Sequence, residues 1–114
     1  MSIIGAFMVP HPPMIDPTVG RGSESQIEKT INSYKEVAKK IAELKPDTII
    51  ISSPHTTVYG DYFHISPGST ATGSFAQFGA KEPVFNENYD EELTTLLNEM
   101  AKEKDLPAGT DYER

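Results

Sequence analysis

Two apolar segments dominate the hydrophobic pattern of the chain. Ile3–Val9 is apolar apart from small residues, and Asp47–His55 reads Asp-Thr-Ile-Ile-Ile-Ser-Ser-Pro-His, a β-branched run bounded by prolines. A run without polar alternation is typical of a strand buried on both faces, as in a parallel sheet covered by helices. Each predicted strand leads into a Pro-His pair, so the two segments deliver His11 and His55 to their carboxyl ends.

The residues between the two strands predict one amphipathic helix. Ser23 followed by Gln26 is a capping-box pattern, and Pro46 ends the helix. The apolar positions recur at helical spacing: Ile27, Ile31, Tyr34, Val37, Ala38, Ile41 and Ala42. A strand, a helix of about twenty residues and a second strand form a βαβ unit with a right-handed crossover, so we expect the two strands to be parallel.

The remaining elements are shorter. The pattern predicts a stiff loop over Pro10–Gly22, a short strand over Tyr62–Ser66, a loop over Ser69–Lys81 pinned by two phenylalanines, and an edge strand over Glu82–Asn86. Asn88 followed by Glu91 is a second capping box, which predicts a helix running to about Asp105.

Together these elements predict an α/β fold, with a mostly parallel sheet flanked by helices in a three-layer-like arrangement and a β-α-β start. The length of 114 residues suits one domain or part of one. After Leu106 the sequence is typical of a helix exit leading to a further element, so we interpret 1–114 as a partial domain.

Charge and composition exclude several classes. A formal net charge of -7 argues against a nucleic-acid partner, which would require a basic face. The absence of cysteine means that any metal must be held by nitrogen and oxygen. The amino-terminal apolar run is too short for a membrane span and lacks the preceding positive charge of a signal peptide, so we expect a cytoplasmic protein without a membrane partner.

His11 and His55 are the leading candidate site. The carboxyl ends of parallel strands lie at the same edge of a sheet, where open α/β sheets bind their ligands. Two histidines with one carboxylate, leaving open positions, make a ferrous oxygenase site. In the alternative interpretation, each histidine caps a strand end by a hydrogen bond to a loop carbonyl.

His64 and Tyr59 are further candidates. Strand alternation places His64 on the face of Tyr62, opposite Phe63. His64 could donate to a bound anion or orient a neighbouring ligand, or have a structural role only. Tyr59 could reach a ligand at the rim, or pack as a lid.

The nearest carboxylates in sequence to the two histidines are Asp16 and Asp61. Either could supply a third metal ligand, although turn capping is the more common role for such residues. The segment Gly20–Ser23 with Arg21 precedes a helix and could bind a carboxylate or phosphate, but a flexible loop followed by a cap is the preferred interpretation.

Three stretches carry a family resemblance: Met8-Val-Pro-His-Pro-Pro-Met-Ile before the helix, Lys45-Pro-Asp-Thr-Ile-Ile-Ile-Ser-Ser-Pro-His, and Tyr62-Phe-His-Ile. In these the chain resembles the class III, LigB-type extradiol ring-cleavage dioxygenases, and most closely their Memo-like, AmmeMemoRadiSam-associated relatives. The resemblance covers nearly the whole chain but only the amino-terminal part of the family's catalytic domain.

The resemblance implies that His11 and His55 bind non-haem Fe(II). It implies a reaction in which iron coordinates a catechol-type diol and O2 and oxygen is inserted beside the hydroxyl-bearing carbons, as in aromatic compound catabolism. The family's later acid/base histidine and late glutamate ligand have no counterpart here, so we expect an incomplete site.

Two other function classes stay open. The first is a non-catalytic, Memo-like metal-binding or scaffold module, and the second is a hydrolase with Zn(II) at the same site. Apolar sheet faces left exposed would favour a homo-oligomer.

Overall fold

The computed structural model describes residues 2–55 and 58–111 of a mixed α/β protein. The chain forms two compact units, which are described separately below. Unit 1 contains residues 1–49 and 73–84, and unit 2 contains residues 50–72 and 85–114. No helix among the described residues is long and apolar enough to cross a bilayer.

The helices are α1 (Pro17–Gly20), α2 (Glu28–Leu44) and α3 (Glu91–Glu103). The strands are β1 (Phe63–His64), β2 (Thr70–Phe75), β3 (Ala80–Asn88) and β4 (Ala108–Gly109). Short 3₁₀ turns cover Pro13–Ile15, Ser23–Ile27 and Ala76–Phe78. The α/β class predicted from the sequence is confirmed.

The long amphipathic helix of unit 1 is confirmed as α2, but it begins later than predicted. Ser23–Ile27 winds as a 3₁₀ turn without a side-chain cap, so the predicted capping box with Gln26 is wrong. Gly22, at φ 99°, precedes this turn, and its N–H donates to Glu24 Oε2. The helix ends where Lys45 takes a left-handed conformation and Pro46 follows.

The prediction of two core strands from the sequence is wrong. Ile3–Val9 and Asp47–His55 are assigned no strand, so no parallel βαβ pairing is formed by them in the described part of the chain. Their side chains are far from buried, with Ile3 86% and Ile51 84% exposed. A sheet covered on both faces requires a large apolar core, whereas Ala80 and Ala101 are the buried hydrophobic side chains among the described residues.

α2 nevertheless packs on the first of these segments. A Cβ placed on Gly5 would lie 2.9 Å from Leu44 Cδ1, so the small residue admits the end of the helix. Further along, Met8, Val9 and Pro10 form with α2 an open groove of about 290 Å³.

Unit 2 contains a parallel strand pair. Phe63 lies opposite Ala108 and His64 opposite Gly109, so β1 pairs with β4. The N–H of Phe63 donates to Pro107 O at 2.7 Å, and that of Ile65 donates to Gly109 O at 2.7 Å. The short strand predicted over Tyr62–Ser66 is confirmed in a shorter form, with a partner that the sequence analysis did not identify.

The predicted loop over Ser69–Lys81 is wrong. β2 and β3 pair as a two-stranded sheet, joined by a 3₁₀ turn that ends at Gly79 with φ 87°. Phe75 and Phe78 lie at the turn with ring centroids 6.3 Å apart, as expected. The Gly, Ser, Thr and Ala composition is typical of a loop, but strand pairing overrides such weak local preference. The edge strand predicted over Glu82–Asn86 is confirmed inside the longer β3.

The N-cap of α3 lies two residues later than predicted. Asp90, not Asn88, accepts from the N–H of Leu93, at 2.9 Å, and Asn88 is the last residue of β3. Glu91 and Glu92 lie in the first turn, where carboxylates favour the positive end of the helix dipole. The predicted end near Asp105 is close to the observed end at Glu103.

The cap of α3 gives a first prediction. Asp90→Ala removes the acceptor for the N–H of Leu93 and should lower the free energy of unfolding by about 1 kcal/mol. Urea denaturation followed by circular dichroism measures the change. Asn88→Ala is the matched control and should change stability by less than about 0.5 kcal/mol. A larger loss in the Asn88 variant than in the Asp90 variant would restore the cap predicted from the sequence.

Candidate functional site

His11 lies in unit 1 and is exposed. It follows the extended segment through Pro10 and precedes the 3₁₀ turn Pro13–Ile15. Pro10 lines the groove formed with α2, so the imidazole is attached beside this groove. The position is accessible to solvent.

Asp16, a candidate third metal ligand, forms hydrogen bonds within the loop after His11. Its carboxylate accepts from the N–H of Thr18 at 2.8 Å and from the Thr18 hydroxyl, and it caps α1. Turn capping, the more common role named in the sequence analysis, is confirmed for this residue.

The segment Gly20–Ser23 shows the loop geometry of the preferred interpretation. Arg21 takes a left-handed conformation at the end of α1. The N–H of Gly22 donates to Glu24 Oε2 at 2.7 Å, so an internal carboxylate holds the position that an anion would take. Gly20 is buried, and a Cβ on it would lie 2.8 Å from Met14 O.

His55 lies in unit 2 and is exposed. Its backbone N–H donates to the hydroxyl of Ser53 at 3.2 Å, which fixes the chain direction at Pro54. Thr56 and Thr57, which follow it, lie outside the described residues. His55 therefore has a local backbone anchor on its amino-terminal side.

The shared rim of His11 and His55 stays a prediction. The two histidines belong to different compact units, and the strand pairing that would bring them to one edge is absent from the described residues. Asp61 is exposed in the loop before β1. Among residues 2–55 and 58–111, no group of three or more His, Cys, Asp or Glu side chains is placed to hold a metal ion.

Iron fits the donor chemistry only in part. Two exposed imidazoles, at His11 and His55, are ordinary ligands for Fe(II) and Zn(II). A facial triad also needs a carboxylate, and the structure engages Asp16 as a helix cap. The described residues thus offer histidine donors without a completed ligand set.

Unit 2 gathers three aromatic rings, which we call the Tyr59 cluster: Tyr59, Tyr62 and His64. The rings of Tyr59 and Tyr62 meet edge to face with centroids 6.1 Å apart, and those of Tyr59 and His64 lie 6.0 Å apart. Both ring nitrogens of His64 are shielded from solvent, whereas Phe63 is 67% exposed. The face alternation predicted for this strand is confirmed.

A polar clasp holds the Tyr59 cluster to the end of the described chain. Tyr62 Oη donates to Asp111 Oδ2 at 3.4 Å and accepts from the N–H of Asp111 at 3.5 Å. Asn98 Oδ1, from α3, accepts from the N–H of Thr110 at 3.1 Å. Between them lies Gly109, buried and at φ 153°, where a Cβ would be 2.5 Å from both Tyr62 Oη and Asn98 Oδ1.

The sequence analysis missed this clasp. Asn98 occupies an ordinary polar position of an amphipathic helix, and Asp111 follows the last predicted element, so neither carried a local signal. Gly109 carried one, since a glycine often marks a close backbone approach. Its partner β1 lies over forty residues earlier in sequence, a separation that local patterns do not reveal.

A family model and one curated relative match this chain. The family model described as "Catalytic LigB subunit of aromatic ring-opening dioxygenase" matches residues 5–114. Protein CA_C1420 of Clostridium acetobutylicum is 39% identical over 108 residues, which are 95% of this chain and 23% of that relative. The chain therefore spans less than a quarter of the length of that relative. No solved structure matches the chain.

The clasp gives a second prediction. Gly109→Ala should lower the free energy of unfolding by about 1–3 kcal/mol, because a side chain is strained at this φ and displaces Tyr62 or Asn98. Thermal denaturation measures the change. Gly73→Ala in β2 is the matched control, because nothing lies within 4 Å of its Cβ position and its φ is not positive. Equal melting temperatures for the two variants would refute the clasp.

Proposed function

Because this chain belongs to the family of catalytic LigB subunits of aromatic ring-opening dioxygenases, we propose that it is part of a non-haem Fe(II)-dependent extradiol ring-cleavage dioxygenase. The family supports an oxidoreductase of the dioxygenase class. The observation that carries the proposal is the match over residues 5–114, which spans both Pro-His pairs. The proposed substrates are a small catechol-type aromatic diol and O2.

In this proposal His11 and His55 are the two metal ligands. Each is exposed and follows a proline, which restricts the backbone that leads into the imidazole. When bound, Fe(II) would supply coordination sites for the diol oxygens and O2. The remaining carboxylate ligand and the acid/base histidine would come from polypeptide outside this chain.

The Tyr59 cluster has a proposed role beside the metal. Tyr59 lies four residues after His55, and its ring touches those of Tyr62 and His64. The shielded ring of His64 suits it to orient a neighbour rather than to exchange protons with bulk water. We assign Tyr59 and His64 to substrate binding or ligand orientation.

The wider assignments also belong to this proposal. Residues 1–114 are the amino-terminal portion of a single LigB-type catalytic domain of the Memo-like branch, acting in aromatic compound catabolism in the cytoplasm. The 23% coverage of Protein CA_C1420 supports the partial domain. The exposed apolar side chains support association, including a homo-oligomer.

A non-catalytic binding or scaffold module is the second candidate. It is favoured by one observation, that the described residues bring no three metal-ligating side chains together. In this case the loops after the two Pro-His pairs would contact a partner without iron. A zinc-dependent hydrolase is a third possibility with the same two histidines.

Metal binding gives the third prediction. In anaerobic titrations followed by calorimetry, the chain should bind Fe(II) weakly, and His11→Ala or His55→Ala should each weaken binding at least about tenfold. Asp16→Asn is the matched control, because asparagine can keep the helix cap while losing the charge. Affinity unchanged in both histidine variants would refute the ligand assignment, and a loss in the Asp16 variant would make Asp16 a ligand.

Oxygen uptake separates the three functions. The proposed dioxygenase predicts that Fe(II) and a catechol panel together give O2 consumption once the missing polypeptide is supplied. Retention of Zn(II) with hydrolysis and no O2 consumption would favour the hydrolase. If the completed protein neither retains a metal nor consumes O2, the scaffold module is favoured.

A further inference from the structure

A small pocket in unit 2 contains none of the candidate metal ligands and none of the Tyr59 cluster. The loop after β1 contributes Pro67 and Gly68, residue Thr110 follows β4, and α3 forms the remaining wall. The volume of about 160 Å³ has room for several water molecules, and hence for a ligand of a few carbon atoms. We call this cavity the α3 pocket.

α3 lines the pocket with four polar side chains: Glu91, Thr94, Thr95 and Asn98. Their spacing of three, one and three residues places them on one face of the helix. Thr94 and Asn98 are half-buried, whereas Leu96 is 39% exposed. The helix therefore directs part of its polar face, and not only its apolar residues, towards the neighbouring loops.

The threonine hydroxyls of the pocket are not used by the helix itself. Within a helix, a serine or threonine hydroxyl often donates to the carbonyl oxygen four residues earlier, as Ser33 in α2 does to Lys29 O at 3.0 Å. Thr94 and Thr95 make no such bond within the part of the chain that the structure describes. Their hydroxyls can therefore both donate and accept at the pocket surface.

A hydrogen bond from the segment after β4 engages the amide of Asn98. The N–H of Thr110 donates to Asn98 Oδ1 at 3.1 Å, which leaves Nδ2 as a donor. Glu91, two helical turns away and about 10 Å along the axis, supplies a carboxylate acceptor. The pocket thus has a donor towards one end, an acceptor towards the other and hydroxyls between them.

We propose that the α3 pocket binds a small neutral polyol with hydroxyl groups on adjacent carbon atoms. Each ligand hydroxyl both donates and accepts, so it matches the threonine hydroxyls as well as Glu91 and Asn98. The carboxylate disfavours an anion, and an ammonium ion, which only donates, leaves Asn98 Nδ2 without an acceptor. The proposal goes beyond the dioxygenase assignment and does not require that His11 and His55 be metal ligands.

Titration of the 114-residue chain followed by nuclear magnetic resonance tests the proposal. Erythritol, with four adjacent hydroxyls, should give saturable shifts of the amide signals of Gly68, Thr95 and Thr110, with half-saturation at about 1–10 mM. The matched ligand is 1,4-butanediol, which has the same carbon chain without adjacent hydroxyls and should bind at least about tenfold more weakly. The amides of α2 should shift with neither ligand.

Matched substitutions assign the binding to the pocket. Glu91→Ala should weaken erythritol binding at least about tenfold, and Thr95→Val at least about threefold, because each removes a hydrogen-bonding group. Glu92→Ala removes a carboxylate from the same helical turn but outside the pocket, and Thr95→Ser keeps the hydroxyl. Both of these controls should retain the affinity within about twofold.

The opposite results are equally clear. Equal shifts with the two ligands, or shifts that grow without saturation, would overturn the proposal. Equal losses in the Glu91 and Glu92 variants would also overturn it, because they would trace the effect to charge at the helix start. Tighter binding of methylammonium than of erythritol would overturn it by assigning the pocket to a cation. If a variant loses its helical circular dichroism, the comparison of erythritol with butanediol on the unaltered chain decides.

Discussion

Coverage of apolar surface is the constraint on which the rest of this structure depends. The described residues bury the hydrophobic side chains of Ala80 and Ala101, and both are small. Burial of a large aliphatic or aromatic side chain contributes about 1.5–3 kcal/mol, and most such side chains here remain accessible. The described structure is instead held by helix caps, a parallel strand pair, a hairpin and glycines at close approaches.

The helices were the part of the fold that the sequence predicted best. α2 and α3 depend on apolar periodicity and end signals that lie within the helix itself, so both were found with errors of a few residues at their starts. Those errors have a common cause. Ser23 and Asn88 match a capping pattern by residue type, but Ser23 begins a 3₁₀ turn that precedes α2, and Asp90 caps α3.

The strands were harder to predict because a strand is defined by its partner. β2 was missed in a Gly- and Ser-rich stretch because its pairing with β3 is a tertiary fact, and β4 was missed because its partner β1 is distant in sequence. The opposite error concerns Ile3–Val9 and Asp47–His55, which have strong strand composition and no strand assignment. The composition of these segments favours strands, but a strand forms only where a partner pairs with it.

The predicted placement of the candidate site depends on strand pairing in the same way. Sequence reasoning could identify His11 and His55 because each follows a Pro at the end of an apolar run, but their mutual placement was argued entirely from parallel strands. Each histidine is therefore only as well positioned as the segment that precedes it.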